Sequence, residues 1–74
     1  MQEYKIDVSN IEALQMETNL RALDRIFKDA KSTIVNGETV WLTRKDKGGN
    51  LQKFDELTTI EDLETYKKSV YKYL

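Results

Sequence analysis

Two pairs of adjacent acidic residues, Asp55-Glu56 and Glu61-Asp62, come closest in this sequence to a pair of catalytic carboxylates. Retaining glycoside hydrolysis needs two carboxyl groups about 5 Å apart across a cleft. A chain of 74 residues can form little of such a cleft. Because acids at a helix start usually favour its positive end and stay hydrated, we interpret both pairs as capping and surface residues.

The two residue types that most often carry catalytic or metal-binding chemistry are absent, because the sequence contains neither histidine nor cysteine. Imidazole is the commonest acid–base group and metal ligand, and thiolates serve redox chemistry, covalent catalysis and soft-metal binding. Disulfides and a structural zinc site are excluded for the same reason. The sequence therefore predicts a protein that is not an enzyme and needs no metal and no cofactor.

The segment Asp46-Lys47-Gly48-Gly49-Asn50 superficially resembles a calcium loop or a phosphate cradle. It lacks the alternating acids and the final glutamate of an EF-hand, and Lys45 and Lys47 would repel a cation. A P-loop joins a strand to a helix with a fixed glycine and lysine spacing, whereas these glycines join two predicted strands. We interpret the segment as a turn.

The basic residues of this turn and its flanks form the one electrostatic feature worth weighing. Within residues 44–53, four bases and one acid give a net charge of +3; the bases are Arg44, Lys45, Lys47 and Lys53. A basic hairpin can follow phosphates, and Trp41, Tyr71 and Tyr73 could stack on bases if they are exposed. Lysines on exposed turns also deter strand addition, and the following residues 55–64 carry five acids and no base. Nucleic-acid binding is thus the less favoured hypothesis.

Size and composition predict one small domain spanning residues 1–74. The net charge is −1, with 39% hydrophobic and 34% charged residues, which fits a folded chain without a general attraction to nucleic acid or acidic membranes. The start of the sequence lacks the basic and apolar regions of a signal peptide, and no apolar run approaches the ~20 residues that span a bilayer. We expect a cytoplasmic protein with no membrane partner.

The first half of the sequence predicts a short strand and one long helix. Tyr4 to Val8 alternates like a strand, and Ser9 with Glu12 matches a capping box, so a helix is expected over about residues 10–31. Its apolar stripe contains Ala13, Met16, Leu20, Leu23, Ile26, Phe27 and Ala30.

Ile11 and Leu14 do not fit this stripe and project toward the charged side of a continuous helix. Two explanations are open. Either the N-terminal strand covers them or the helix bends near residues 17–19, or they form part of a subunit interface. The first explanation is favoured, since isolated exposed apolar residues are common.

The second half predicts three strands and a helix. Asn36-Gly37 between β-branched runs indicates a hairpin with Val35 opposite Glu38 and Thr33 opposite Val40. A second turn at residues 44–50 leads to a strand over about residues 51–55, whose register stays open because Leu51 and Phe54 fall on opposite faces unless a bulge intervenes. Thr58 and Glu61 match another capping box before a final helix. The apolar arc of that helix contains Ile60, Leu63, Tyr66, Val70, Tyr73 and Leu74.

The predicted fold is therefore α+β, in the order β-α-β-β-β-α. It has a small antiparallel sheet of three strands, or four with the N-terminal one, packed with two amphipathic helices. A core this small leaves little stability to spare, and oligomerisation is the one remaining way to add some. We expect a small interaction or regulatory module that binds another protein or its own copy. The candidate contact residues are Ile11, Leu14, Trp41 and Tyr71.

Overall fold

The described residues form three helices and three strands in the order β-α-α-β-β-α. The computed structural model describes residues 3–72 and 74. The elements are β1 (Tyr4–Asp7), α1 (Val8–Met16), α2 (Leu20–Val35), β2 (Val40–Lys45), β3 (Leu51–Leu57) and α3 (Ile60–Tyr71). None of the helices in this described part combines the length and apolar character that crossing a bilayer requires.

The sheet is mixed rather than antiparallel, with strand order β1-β2-β3. β1 runs parallel to β2, with Tyr4 opposite Val40 and Ile6 opposite Leu42. β2 and β3 are antiparallel. The α+β class is confirmed, but the predicted all-antiparallel sheet is wrong, because two helices stand between β1 and β2 and return the chain to the same end of the sheet. The N-terminal strand is the third strand of this sheet and not a fourth.

The predicted single helix over residues 10–31 is two helices separated by a sharp corner. The Asn19 N–H donates to the Leu14 carbonyl at 2.9 Å and the Thr18 N–H to the Gln15 carbonyl at 3.1 Å, which is the pattern of a Schellman helix end. Thr18 adopts a φ of +53° there. Because the corner separates the two helices, the apolar side of α1 does not continue that of α2. The first part of the predicted apolar stripe is therefore not buried: Met16 is 87% exposed and Leu20 47%.

Asn36 and Gly37 end a helix instead of forming a hairpin turn. The Gly37 N–H donates to the Ile34 carbonyl at 2.9 Å, and the Glu38 N–H donates to the Thr33 carbonyl at 3.0 Å, a second Schellman end. Gly37 has a φ of +83°. The predicted strand before Asn36 is thus the last turn of α2, and its predicted pairings are wrong. Both structures require positive φ at this glycine, so the dipeptide alone does not distinguish them.

The second predicted turn does connect two strands, and a bulge sets their register. Leu42 lies opposite Asp55 and Thr43 opposite Lys53, which leaves Phe54 as an extra residue on β3. The strand continues to Leu57, two residues beyond its predicted end. The sequence left open whether this strand contains a bulge, and the structure shows that it does.

At both predicted capping boxes, the residue that caps the helix lies at a different position from the predicted one. Asp7 caps α1, accepting a hydrogen bond from the Ser9 N–H at 3.0 Å, so the helix begins before Ser9. Thr59 caps α3, and its hydroxyl oxygen accepts from the Asp62 N–H at 3.0 Å. The residue three positions after this cap is Asp62 and not Glu61. Tyr73 of the predicted apolar arc lies outside the described residues.

The helices pack on one face of the sheet. The described chain measures 31 × 30 × 17 Å, the dimensions of a thin, two-layered slab. Val40 and Leu42 of β2 pack with helix residues such as Leu23 and Leu63 in one core. The core residues are Ile6, Ile11, Leu23, Phe27, Ala30, Ile34, Val40, Leu42, Leu57, Leu63 and Val70. The opposite face of the sheet carries Trp41 and has no helix of the described chain packed on it.

Candidate interaction surface

Two of the acids that the sequence offered for chemistry hold local backbone structure. The Asp46 carboxylate accepts hydrogen bonds from the N–H groups of Gly48 at 2.8 Å and Asn50 at 3.0 Å. The Asp62 carboxylate accepts from the N–H and the hydroxyl of Thr58. These hydrogen bonds lower the pKa of both carboxyl groups, so both stay ionised at neutral pH. A carboxylate held in this form serves poorly as a general acid.

The basic hairpin is partly neutralised by acids from elsewhere in the chain. Arg44 Nη2 lies 2.9 Å from Glu12 Oε1 of α1, and Lys53 Nζ lies 2.9 Å from Glu3 Oε2. Lys45 and Lys47 form no ion pair with any described residue. Two of the four predicted phosphate contacts are therefore engaged within the molecule, which weakens the basic footprint expected of a nucleic-acid site.

Trp41 lies near the middle of the open sheet face and is half-buried by charged neighbours. The Lys53 ammonium lies 4.5 Å from the indole ring centre, within the range of a cation–π contact. Lys5 is the neighbour of Trp41 on β1, and Glu56 is its neighbour on β3. The hydrogen bond from Lys53 lowers the pKa of Glu3, which keeps this carboxylate charged beside the lysine. The open face therefore offers an aromatic centre bordered by charges of both signs.

β3 is the most exposed regular element of the structure. Its residues 51–56 are all exposed, and only Leu57 at its end is buried. Leu51 is 49% exposed and Phe54 56%. β3 is also the last strand of the sheet, so its outer backbone edge pairs with no strand among the described residues. Exposed apolar side chains on a free strand edge are unusual, because such edges template pairing with another chain.

The structure scatters the four predicted contact residues instead of bringing them together. Ile11 is 2% exposed and belongs to the core, so the predicted contact role of this residue is wrong. The corner at residues 17–19 reorients α1, and Ile11 then faces the core. Leu14 packs against the same core. Tyr71 packs on Phe27, with ring centres 5.8 Å apart, and its hydroxyl hydrogen-bonds Asp24. Of the four residues, Trp41 alone lies on the open sheet face.

The Tyr66 hydroxyl lies inside the helical layer. It is buried and forms no hydrogen bond with the described residues. Burial is the main cause that raises the pKa of Tyr66 to about 12. The residue lines a shallow groove between β3 and α3, together with Asp55, Glu56 and Asp62. Because Asp62 is engaged with Thr58, this groove does not present a free cluster of ligands.

Sequence reasoning missed Leu51 and Phe54 as contact candidates. It treated them as strand residues with an unsettled register, since an alternating pattern does not reveal which strand ends at an edge. The available signal was the pattern itself: two apolar residues three positions apart in a strand require either a bulge or exposure of one of them.

Among residues 3–72 and 74, no three acidic side chains converge into a group that could hold a metal ion. In comparisons with known proteins, no family model, no curated protein and no solved structure matches this chain significantly.

Proposed function

We propose that this chain is a small, non-enzymatic protein-interaction module that binds an extended segment of a protein along β3. The observation that carries the proposal is the run of six exposed residues, including Leu51 and Phe54, on a strand whose outer edge pairs with no other described strand. A free edge supplies backbone hydrogen bonds for an added strand, and neighbouring apolar side chains supply affinity. The cytoplasmic location expected from the sequence belongs to this same proposal.

The chemical character of the surface also supports a protein partner over a nucleic acid. Phe54 and Leu51 offer apolar area that phosphates do not use, whereas Arg44 and Lys53 are already paired with carboxylates. Protein contact surfaces combine aromatic anchors with a charged border, as Trp41 and its neighbours do here.

Selection of binding peptides tests the proposal directly. A displayed library of random extended peptides is enriched on the immobilised protein, and the affinity of the selected peptides is measured by fluorescence anisotropy. We expect Phe54→Ser to weaken binding by roughly tenfold or more, as loss of an apolar anchor does. Met16→Ser is the matched control, since Met16 is also exposed but lies on α1.

Three results would count against the proposal. One is the absence of any enriched peptide on a chain that is monomeric under the selection conditions, and another is equal binding by wild type and Phe54→Ser. The third is salt-sensitive binding to duplex or single-stranded nucleic acid that disappears in the variant Lys45→Glu/Lys47→Glu. That outcome would favour the nucleic-acid hypothesis instead.

A further inference from the structure

The charges along β3 are arranged in the order that a second, antiparallel copy of the same strand would match. The first part of the strand carries Lys53, and the last part carries Asp55 and Glu56. In an antiparallel pair the basic part of each strand lies beside the acidic part of the other. In a parallel pair like charges would lie side by side, which destabilises the sheet.

From this arrangement we infer that two copies of the chain pair through the outer edges of β3, antiparallel and about a two-fold axis, into a continuous six-stranded sheet. The inference rests on the proposed function and names its partner as a second copy. Phe54, the extra residue of the bulge, lies at the midpoint of Leu51–Leu57. A two-fold axis near this midpoint brings the two exposed phenyl rings close together.

The groups required for this pairing are accessible in the single chain. Asp55 and Glu56 form no ion pair with the described residues. Lys53 is held by Glu3, but both side chains of that pair are substantially exposed, at 38% and 49%. Exchanging one exposed carboxylate partner for another costs little, because surface ion pairs contribute little.

The other edge of the sheet favours a closed dimer over a growing fibre. β1 has only four residues, against seven in β3, and the bulge at Phe54 restricts which strands can pair with β3. A two-fold contact uses the same surface on both copies and consumes both long edges at once.

Charge exchange with mixing tests the inference. The experiment is sedimentation equilibrium at low salt on four samples of the full chain: wild type, Lys53→Glu, Asp55→Lys/Glu56→Lys, and an equal mixture of the two variants. Wild type is expected to dimerise, and each variant alone to do so at least about tenfold more weakly, because like charges then oppose each other. In the mixture both cross-strand contacts again join opposite charges, so dimers reappear at wild-type strength.

The mixture also controls for damage to the fold, since a misfolded variant would not regain association. Wild type that stays monomeric up to about 1 mM overturns the inference. So does a mixture that associates no better than its components when both variants unfold in urea as cooperatively as wild type. A wild type that stays monomeric but still binds selected peptides would overturn the dimer alone, because the peptide and the second copy would use the same edge of β3 and only the choice of partner would be wrong. Loss of both kinds of binding would overturn the proposed function as well.

Discussion

At the scale of single residues, the tyrosines of the helical layer differ in how their hydroxyl groups are satisfied. The Tyr71 hydroxyl has a hydrogen-bond partner in Asp24, whereas the Tyr66 hydroxyl is buried and finds no partner among the residues that the structure describes. A buried polar atom without a partner loses its hydration and regains nothing. The two residues therefore form a natural pair for comparison.

Removing the Tyr66 hydroxyl should not weaken the fold. We expect Tyr66→Phe to leave the free energy of unfolding unchanged or to raise it by up to about 1 kcal/mol. Tyr71→Phe is the control and should lower it by about 1 kcal/mol, since it removes a hydrogen bond to a charged group. Urea unfolding measures both. A loss of stability in Tyr66→Phe as large as that in Tyr71→Phe would contradict the structure around this hydroxyl.

The residue scale is also where the sequence predicted least about the site. Residue types argued against an enzyme, but they gave Ile11 a surface role that the corner at residues 17–19 removes. Residue types alone also left Phe54 unassigned, because its exposure depends on β3 being an edge strand. Burial of a side chain is a property of the assembled elements, and it cannot be deduced where the phase of a helix or the order of strands is unknown.

At the scale of elements, two helices end in the same hydrogen-bond pattern with different residues at the left-handed position. Gly37 occupies that position after α2, and Thr18 occupies it after α1. The left-handed region costs an ordinary residue roughly 1–2 kcal/mol, and a β-branched side chain is among the least suited to it. The corner after α1 is therefore strained, whereas the corner after α2 is not.

Thr18→Gly should relieve that strain. We expect the free energy of unfolding to rise by about 0.5–1 kcal/mol, after allowing for the greater freedom of glycine in the unfolded chain. Gly37→Ala provides the opposite change at the equivalent position and should lower it by about 1 kcal/mol. Thermal or urea unfolding of the two variants decides the question. Destabilisation by Thr18→Gly would mean that the threonine side chain supports the corner.

These two corners also explain which elements could be predicted. β2, β3 and α3 were predicted at nearly their observed positions, because alternation and apolar spacing persist through them. The corner after α1 is anticipated only as a bend near residues 17–19, which is one of the explanations for Ile11 and Leu14, and the corner after α2 is missed. The reason is physical. Thr18 carries no sequence signal for a left-handed residue, and Asn36-Gly37 carries a signal shared by helix ends and hairpin turns. Because the corner after α2 was misassigned, the end of this helix was predicted as a strand. The predicted sheet was then antiparallel instead of mixed.

At the scale of the whole molecule, three tyrosines make the free energy of unfolding depend on pH in the alkaline range. Burial raises the pKa of Tyr4 above its ordinary value, and it is the main cause that raises those of Tyr66 and Tyr71 to about 12. The unfolded chain releases these protons near pH 10, at which the folded chain still holds them. Above that pH the unfolded state binds fewer protons, so the stability falls as pH rises.

We expect this loss between about pH 10 and pH 12, amounting to roughly 1 kcal/mol or less per tyrosine once solvent screening is included. Urea unfolding at a series of pH values measures it. The double variant Tyr66→Phe/Tyr71→Phe separates the tyrosines from the lysines, which also titrate in this range. An equally steep decline in that variant would show that these tyrosines are not its cause.

The mixed sheet has a consequence for the order in which the protein folds. β2 and β3 are joined by a short turn and can pair by a local search, whereas β1 meets β2 only after α1 and α2 have brought the chain back. Contacts between residues far apart in sequence form slowly, because closing the intervening loop costs entropy first. We therefore expect β1 to dock late in folding and to complete the core only after the two helices have formed.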